Sequence, residues 1–156
     1  MKFFIQTSNN SIVFLLFFTV WTDLLLPKQY KNSDLAFWVW TIFIYTWYYF
    51  AFKHLYQKSQ KNLNIKVTYN LALIILLVST SLHWGFGINV NQIGYFQLIC
   101  YIYLAITLTI LMSKLEGNRK LNFESILTFF LIFILPVGAW WIHKRIQNIC
   151  LNNNEA

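Results

Sequence analysis

The 156-residue chain is 58% hydrophobic and 20% aromatic, has only 11% charged residues, and carries a formal charge of +7. Soluble domains average about 25% charged and about 45–50% apolar residues, so this composition excludes a disordered tail, a collagen-like rod, a disulfide scaffold and a nucleic-acid-binding domain. A globule of this size has too little interior to hide so much apolar surface, and an all-α polytopic membrane protein remains.

A bilayer span takes about 20 mostly apolar residues in a helix, and five segments are expected to supply one each. The first covers residues 11–26 and stops at Pro27, which cannot continue a hydrogen-bond ladder. No small-residue cleavage pattern follows it, so it reads as an uncleaved signal anchor. Its rise of about 24 Å falls short of a core of about 30 Å, and a four-span arrangement with a shallow N-terminal helix is the alternative. The second covers 35–52, behind Asn32, Ser33 and Asp34, good N-capping residues. The third covers 67–84, and Gly85 and Gly87 then loosen the chain. The fourth covers 93–112 and the fifth 123–142. Residues 71–78 form an unbroken apolar run, whereas membrane β-barrels alternate polar and apolar residues. Residues 150–156 form a polar tail, and no soluble domain is expected.

Basic residues mark cytoplasmic loops. With five spans, Lys2, Lys53, Lys58, Lys61, Lys66, Lys114, Arg119 and Lys120 share one side, and Lys28, Lys31, Lys144 and Arg145 share the other. Eight cations against four put the N-terminus in the cytoplasm and the C-terminus outside the inner (cell) membrane. Trp21, Trp38, Trp40, Trp84, Trp140 and Trp141 then lie toward the outer face, where indoles favour the interface. Only Trp47 is central.

Ionisable groups within spans are costly and are candidates for function. Asp23, His83 and Gln97 fall at one depth near the outer face in this threading. They form a candidate polar cluster for a proton relay, a metal or a polar substrate, weighed against interfacial polar groups that snorkel or bond between helices. Ala105, Thr109 and Ser113 recur every fourth residue, a spacing that lets helix backbones approach closely. They mark a packing seam within the chain or against a partner, which the notch Ser79, Thr80 and Ser81 is expected to face. Lys53, Lys58, Lys61 and Lys66 form a basic loop suited to anionic lipid. Pro136 and Gly138 interrupt the fifth segment as a candidate hinge. Proline offers no amide to the carbonyl four residues earlier, that of Ile132. Tyr45, Trp47, Tyr48, Tyr49, Phe50 and Phe52 crowd the second segment, as packing mass or as a stacking surface for a flat lipophilic ligand such as a quinone.

No HxxxH, HExxH, GxSxG, CxxC or phosphate-loop glycine pattern occurs, so no metal and no cofactor is expected. Cys100 and Cys150 are expected at different depths and therefore unbridged. The expected function is that of a non-enzymatic accessory protein binding another membrane protein or itself, with lipids as its other partners and nucleic acid disfavoured. The alternatives are an oligomeric pore or membrane-perturbing effector, and a small intramembrane enzyme or carrier built on Asp23, His83 and Gln97.

Overall fold

The computed structural model describes residues 33–59, 63–85, 91–117, 123–133 and 138–152. These residues form five α-helices: α1 (Ser33–Lys58), α2 (Leu63–Thr80), α3 (Asn91–Leu115), α4 (Phe123–Phe133) and α5 (Ala139–Asn152), with a π-helical turn over Ser81–Gly85 extending α2. No strand occurs among the described residues. The expected first segment lies outside them. Two helical stretches, Asn64–His83 and Gly94–Leu115, are long and apolar enough to cross a bilayer.

Helix ends follow from local chemistry. At the end of α1 the Ser59 amide reaches the Leu55 carbonyl at 3.0 Å and the Ser59 hydroxyl donates to the Tyr56 carbonyl at 3.2 Å, occupying carbonyls that a helix terminus leaves free. The end of α3 closes through Glu116 N–H to the Met112 carbonyl at 3.0 Å and Gly117 N–H to the Lys114 carbonyl at 3.2 Å. Gly117 has φ +80°, a left-handed conformation that glycine adopts without steric cost.

α3 is the central element and packs against all four other helices. Its inward stripe is Cys100, Leu104, Ala105, Leu108, Thr109, Leu111 and Met112, the i, i+4, i+7 repeat of one helix face. Ile44, Tyr48, Ala51, Phe52 and Leu55 of α1 and Tyr69, Leu73 and Leu76 of α2 belong to the same buried core. Phe52 on α1 stacks on Tyr69 of α2, with ring centroids 3.8 Å apart and planes 8° apart. Ser79 near the far end of α2 meets Gln97 near the start of α3. α1 and α3 therefore run parallel with α2 antiparallel between them. One end of the bundle holds the end of α1 and the start of α2, and the end of α3 and the start of α4.

Much of the outward surface of the described helices is apolar. Leu71 and Ile74 on α2, Ile99, Ile106 and Ile110 on α3, and Ile126, Leu127 and Phe130 on α4 are exposed, while Thr80, Thr107, Thr109, Ser125 and Thr128 are buried. Only 28% of the α2 stretch and 44% of the α3 stretch is covered by the rest of the chain. A core helix of a water-soluble domain buries most of its apolar surface.

The run 123–142, expected as one span, is divided. α4 ends at Phe133 and a separate helix begins at Ala139. At 11 residues, α4 rises about 16 Å. Gly138 lies at the division. A Cβ on Gly138 would collide with the carbonyl of Leu131, so the start of α5 presses directly on the backbone of α4, and only glycine fits there. α5 then continues beyond residue 142. Ile142, His143, Ile146, Ile149 and Cys150 are buried, and Trp140, Trp141, Lys144 and Asn148 face outward.

Candidate functional site: a tyrosine-capped helix end and an ionic clasp

The described end of α4 lies inside the bundle, with Ile132 fully buried. Pro136 has no N–H to offer the Ile132 carbonyl, and an unsatisfied carbonyl there would cost about 1–3 kcal/mol. The hydroxyl of Tyr48 takes the missing amide's place, donating to Ile132 O at 2.9 Å. Tyr48 is fully buried. The Tyr101 hydroxyl lies 3.4 Å from the next carbonyl, Phe133 O, a longer and weaker bond. The two tyrosine rings meet edge to face at 5.5 Å, and Tyr101 packs on Phe133 at 5.4 Å. Tyr48 sits about 15 Å along α1 from its Lys58 end, and Tyr101 about 21 Å along α3 from Leu115. The cap is therefore near mid-height of helices almost 40 Å long.

Other hydroxyls extend this layer. Tyr69 donates to the Tyr48 carbonyl at 3.2 Å, Tyr45 and Thr80 share a bond of 3.0 Å, and Tyr103 and Thr68 share one of 2.6 Å. Trp47, packed edge-on against Tyr48 at 5.6 Å, is buried, and its indole N–H has no acceptor among the described residues. Each buried hydroxyl bond ties two elements together, the kind of interhelical glue that low-dielectric surroundings favour.

A charged cluster closes the basic end. Arg145 on α5 grips Glu116 with two parallel bonds, Nε to Oε1 at 3.0 Å and Nη2 to Oε2 at 2.5 Å. Its third nitrogen donates to the Thr128 hydroxyl on α4, which itself donates to the Glu124 carbonyl at 2.6 Å. The paired side chains are 28% and 21% exposed. Ser113 and Ser125 bond at 2.7 Å beside this cluster. The fork geometry of guanidinium on carboxylate fixes orientation as well as charge. A straight helix over 123–142 would put residue 145 about 30 Å from Phe123; the Glu116 contact instead brings α5 back toward the start of α4.

Asp23 lies outside the described residues. His83 is half-buried in the π-helical turn. Gln97 donates to the Ser79 hydroxyl at 3.0 Å, so it is tied to the 79–81 notch, whose Thr80 faces Tyr45 rather than the 105–113 seam. In that seam Ala105 and Thr109 are buried, Thr109 donates back to the Ala105 carbonyl at 2.8 Å, and Ser113 joins Ser125. Lys53 lies over the Tyr49 ring at 5.4 Å, Lys66 is exposed, and Lys58 is half-buried. Lys61 and Pro136 lie outside the described residues. Sequence reasoning located the carbonyl freed by Pro136 but not its donor, and it missed the Glu116–Arg145–Thr128 cluster, whose members look like unrelated interfacial polar residues in the chain.

Burial, and secondarily the charge of Lys53, lowers the pKa of His54. Burial raises that of the Cys150 thiol, with Lys58 opposing. Both cysteines are free. Among the described residues no group of three His, Cys, Asp or Glu side chains could hold a metal ion. No protein-family model matches the sequence, and no curated protein or solved structure matches it.

Proposed function

We propose that the chain is a multi-pass protein of the inner (cell) membrane that works by lateral association with another membrane protein or with a second copy of itself. The observation that carries this reading is the surface of α2 and α3. Leu71, Ile74, Ile99, Ile106 and Ile110 face outward, while Thr109, Ser113, Ser125, Thr128 and the tyrosine hydroxyls are committed to bonds inside the chain. Such an exterior is stable in hydrocarbon, where buried hydroxyl bonds and close packing hold helices together. It is unstable in water, because exposed apolar patches of this extent drive association. The basic end, with Lys53, Lys58, Lys66 and Lys114, faces the cytoplasm under the positive-inside rule, and its lysines attract anionic lipid by about 1 kcal/mol each.

The test has two stages. Membranes washed with alkaline carbonate should retain the protein; release into the supernatant overturns membrane residence. A photocrosslinking residue at Ile74 or Ile106 should then yield one discrete protein adduct in intact cells. Adducts to lipid alone overturn lateral association.

A second reading is favoured by one observation, the end of α4 near mid-height of the bundle. Carriers build their sites from discontinuous helices whose ends face the membrane midplane. On that reading Tyr48, Tyr101 and the Ile132 and Phe133 carbonyls form the site, and Tyr48→Phe abolishes transport while leaving the protein at normal abundance.

A further inference from the structure

We infer that α4 and α5 form a re-entrant hairpin, which enters the membrane from the face carrying the α1–α2 and α3–α4 connections and returns to that same face. This rests on the membrane reading above and replaces the C-terminal half of the expected threading.

Three independent contacts carry it. Glu116 follows the last residue of α3 and marks the basic end of the bundle, and Arg145, midway along α5, holds it with two bonds. An arginine side chain reaches about 6–7 Å, not the thickness of a hydrocarbon core of about 30 Å. From Gly138, which lies against Leu131 of α4, to Arg145 on Glu116, α5 therefore runs toward the basic end rather than away from it. Gly138, at the other end of the hairpin, rests on Leu131 of α4, and the last carbonyls of α4 meet Tyr48 and Tyr101. Phe133 and Gly138, where the two arms are nearest, accordingly lie near mid-height, and neither arm is long enough to cross.

Backbone within hydrocarbon must have its polar groups covered by protein. Tyr48 and Tyr101 supply that cover at the tip, and the Arg145 clasp closes the base. The charge pattern gains from this arrangement. Moving Lys144 and Arg145 to the face of the connections raises its cations from eight to ten and leaves Lys28 and Lys31 opposite. The pair that opposed the expected orientation now reinforces it. Trp140 and Trp141, both exposed, then flank the inner leaflet beside Lys144, whose ammonium lies 5.8 Å from the Trp140 ring centre.

The test uses a full-length chain with Cys100→Ala and Cys150→Ala, carrying single reporter cysteines at three exposed positions: Asn64→Cys at the start of α2, Tyr95→Cys near the start of α3, and Asn148→Cys on α5. A membrane-impermeant maleimide is applied to intact and to permeabilised cells. The expected result is that Asn64→Cys and Asn148→Cys behave alike, labelling only after permeabilisation, while Tyr95→Cys labels in intact cells. Labelling of Asn148→Cys together with Tyr95→Cys overturns the hairpin and restores a crossing fifth helix. If Asn64→Cys and Asn148→Cys both label in intact cells and Tyr95→Cys does not, the hairpin stands and the orientation is reversed. If all three label only after lysis and the protein appears in the soluble fraction, the membrane reading itself has failed, and the hairpin with it.

Discussion

Replacing Tyr48 by phenylalanine removes one oxygen from a fully buried ring and leaves its packing against Trp47 and Tyr101 in place. The loss falls on the Ile132 carbonyl, which accepts that hydroxyl at 2.9 Å. A net hydrogen bond contributes about 1 kcal/mol, and a carbonyl left bare in the interior costs about 1–3 kcal/mol. Interhelical bonds measured within membranes average about 0.6 and reach about 1.7 kcal/mol, because the separated helices find other partners. The Ile132 carbonyl belongs at the upper end of that range, since Pro136 denies it the usual helical donor. We expect Tyr48→Phe to destabilise the protein by about 1–2 kcal/mol, a factor of roughly 5–30 in the unfolding equilibrium. The assay is titration of the detergent-solubilised protein with sodium dodecyl sulfate, followed by tryptophan fluorescence. Tyr49→Phe is the control, because Tyr49 sits on the same helix with its side exposed. If Tyr48→Phe and Tyr49→Phe are indistinguishable within about 0.3 kcal/mol, the hydroxyl is not satisfying the carbonyl and the account of the α4 terminus is wrong.

Gly138→Ala puts a methyl group onto the Leu131 carbonyl, and because the obstruction is backbone, the hairpin must splay. A loss of about 1–3 kcal/mol should appear as a lower Tm in detergent, and an unchanged Tm refutes the close approach. His54 gives a pH dependence with a fixed sign. Burial lowers its folded pKa from the ordinary value of 6.5, so the neutral ring is favoured in the fold. The contribution to stability is fully present above about pH 6.5 and is lost as pH falls from there through the lowered value. Unfolding titrations at pH 8 and pH 5.5 should show this loss, and His54→Asn should flatten it. A wild-type protein that gains stability on acidification contradicts the burial argument.

The helical class was legible because residues 71–78 leave no room for the alternation of a barrel strand. Element ends were less so. α1 runs six residues beyond Phe52 because Lys53-His54-Leu55-Tyr56-Gln57-Lys58 contains no helix breaker and Ser59 closes the helix with its own hydroxyl. Which faces point inward was hidden, since α1, α2 and α3 are apolar all round. What separates inside from outside is the placement of hydroxyl groups, such as Thr109 against Ile106 and Ile110. Gly138 marked the division of the last apolar run, and the spacing of Ile142, Ile146 and Ile149 contained the stripe of α5. The direction in which α5 leaves that division depends on Arg145 finding Glu116, 29 residues away in the chain, and no local pattern encodes that meeting. The same holds for the polar residues once grouped by depth. Gln97 has a partner in Ser79 because two antiparallel helices bring them level, whereas Asp23 falls outside the described residues.

The bond between Tyr48 and Ile132 joins residues 84 positions apart. A ribosome working at roughly 5–20 residues per second needs about 4–17 s to cover that distance. During biosynthesis α1, α2 and α3 therefore emerge well before the segment that completes them, and the phenol of Tyr48 must find another partner in the meantime. The nascent protein spends that interval with an open slot beside α1 and α3.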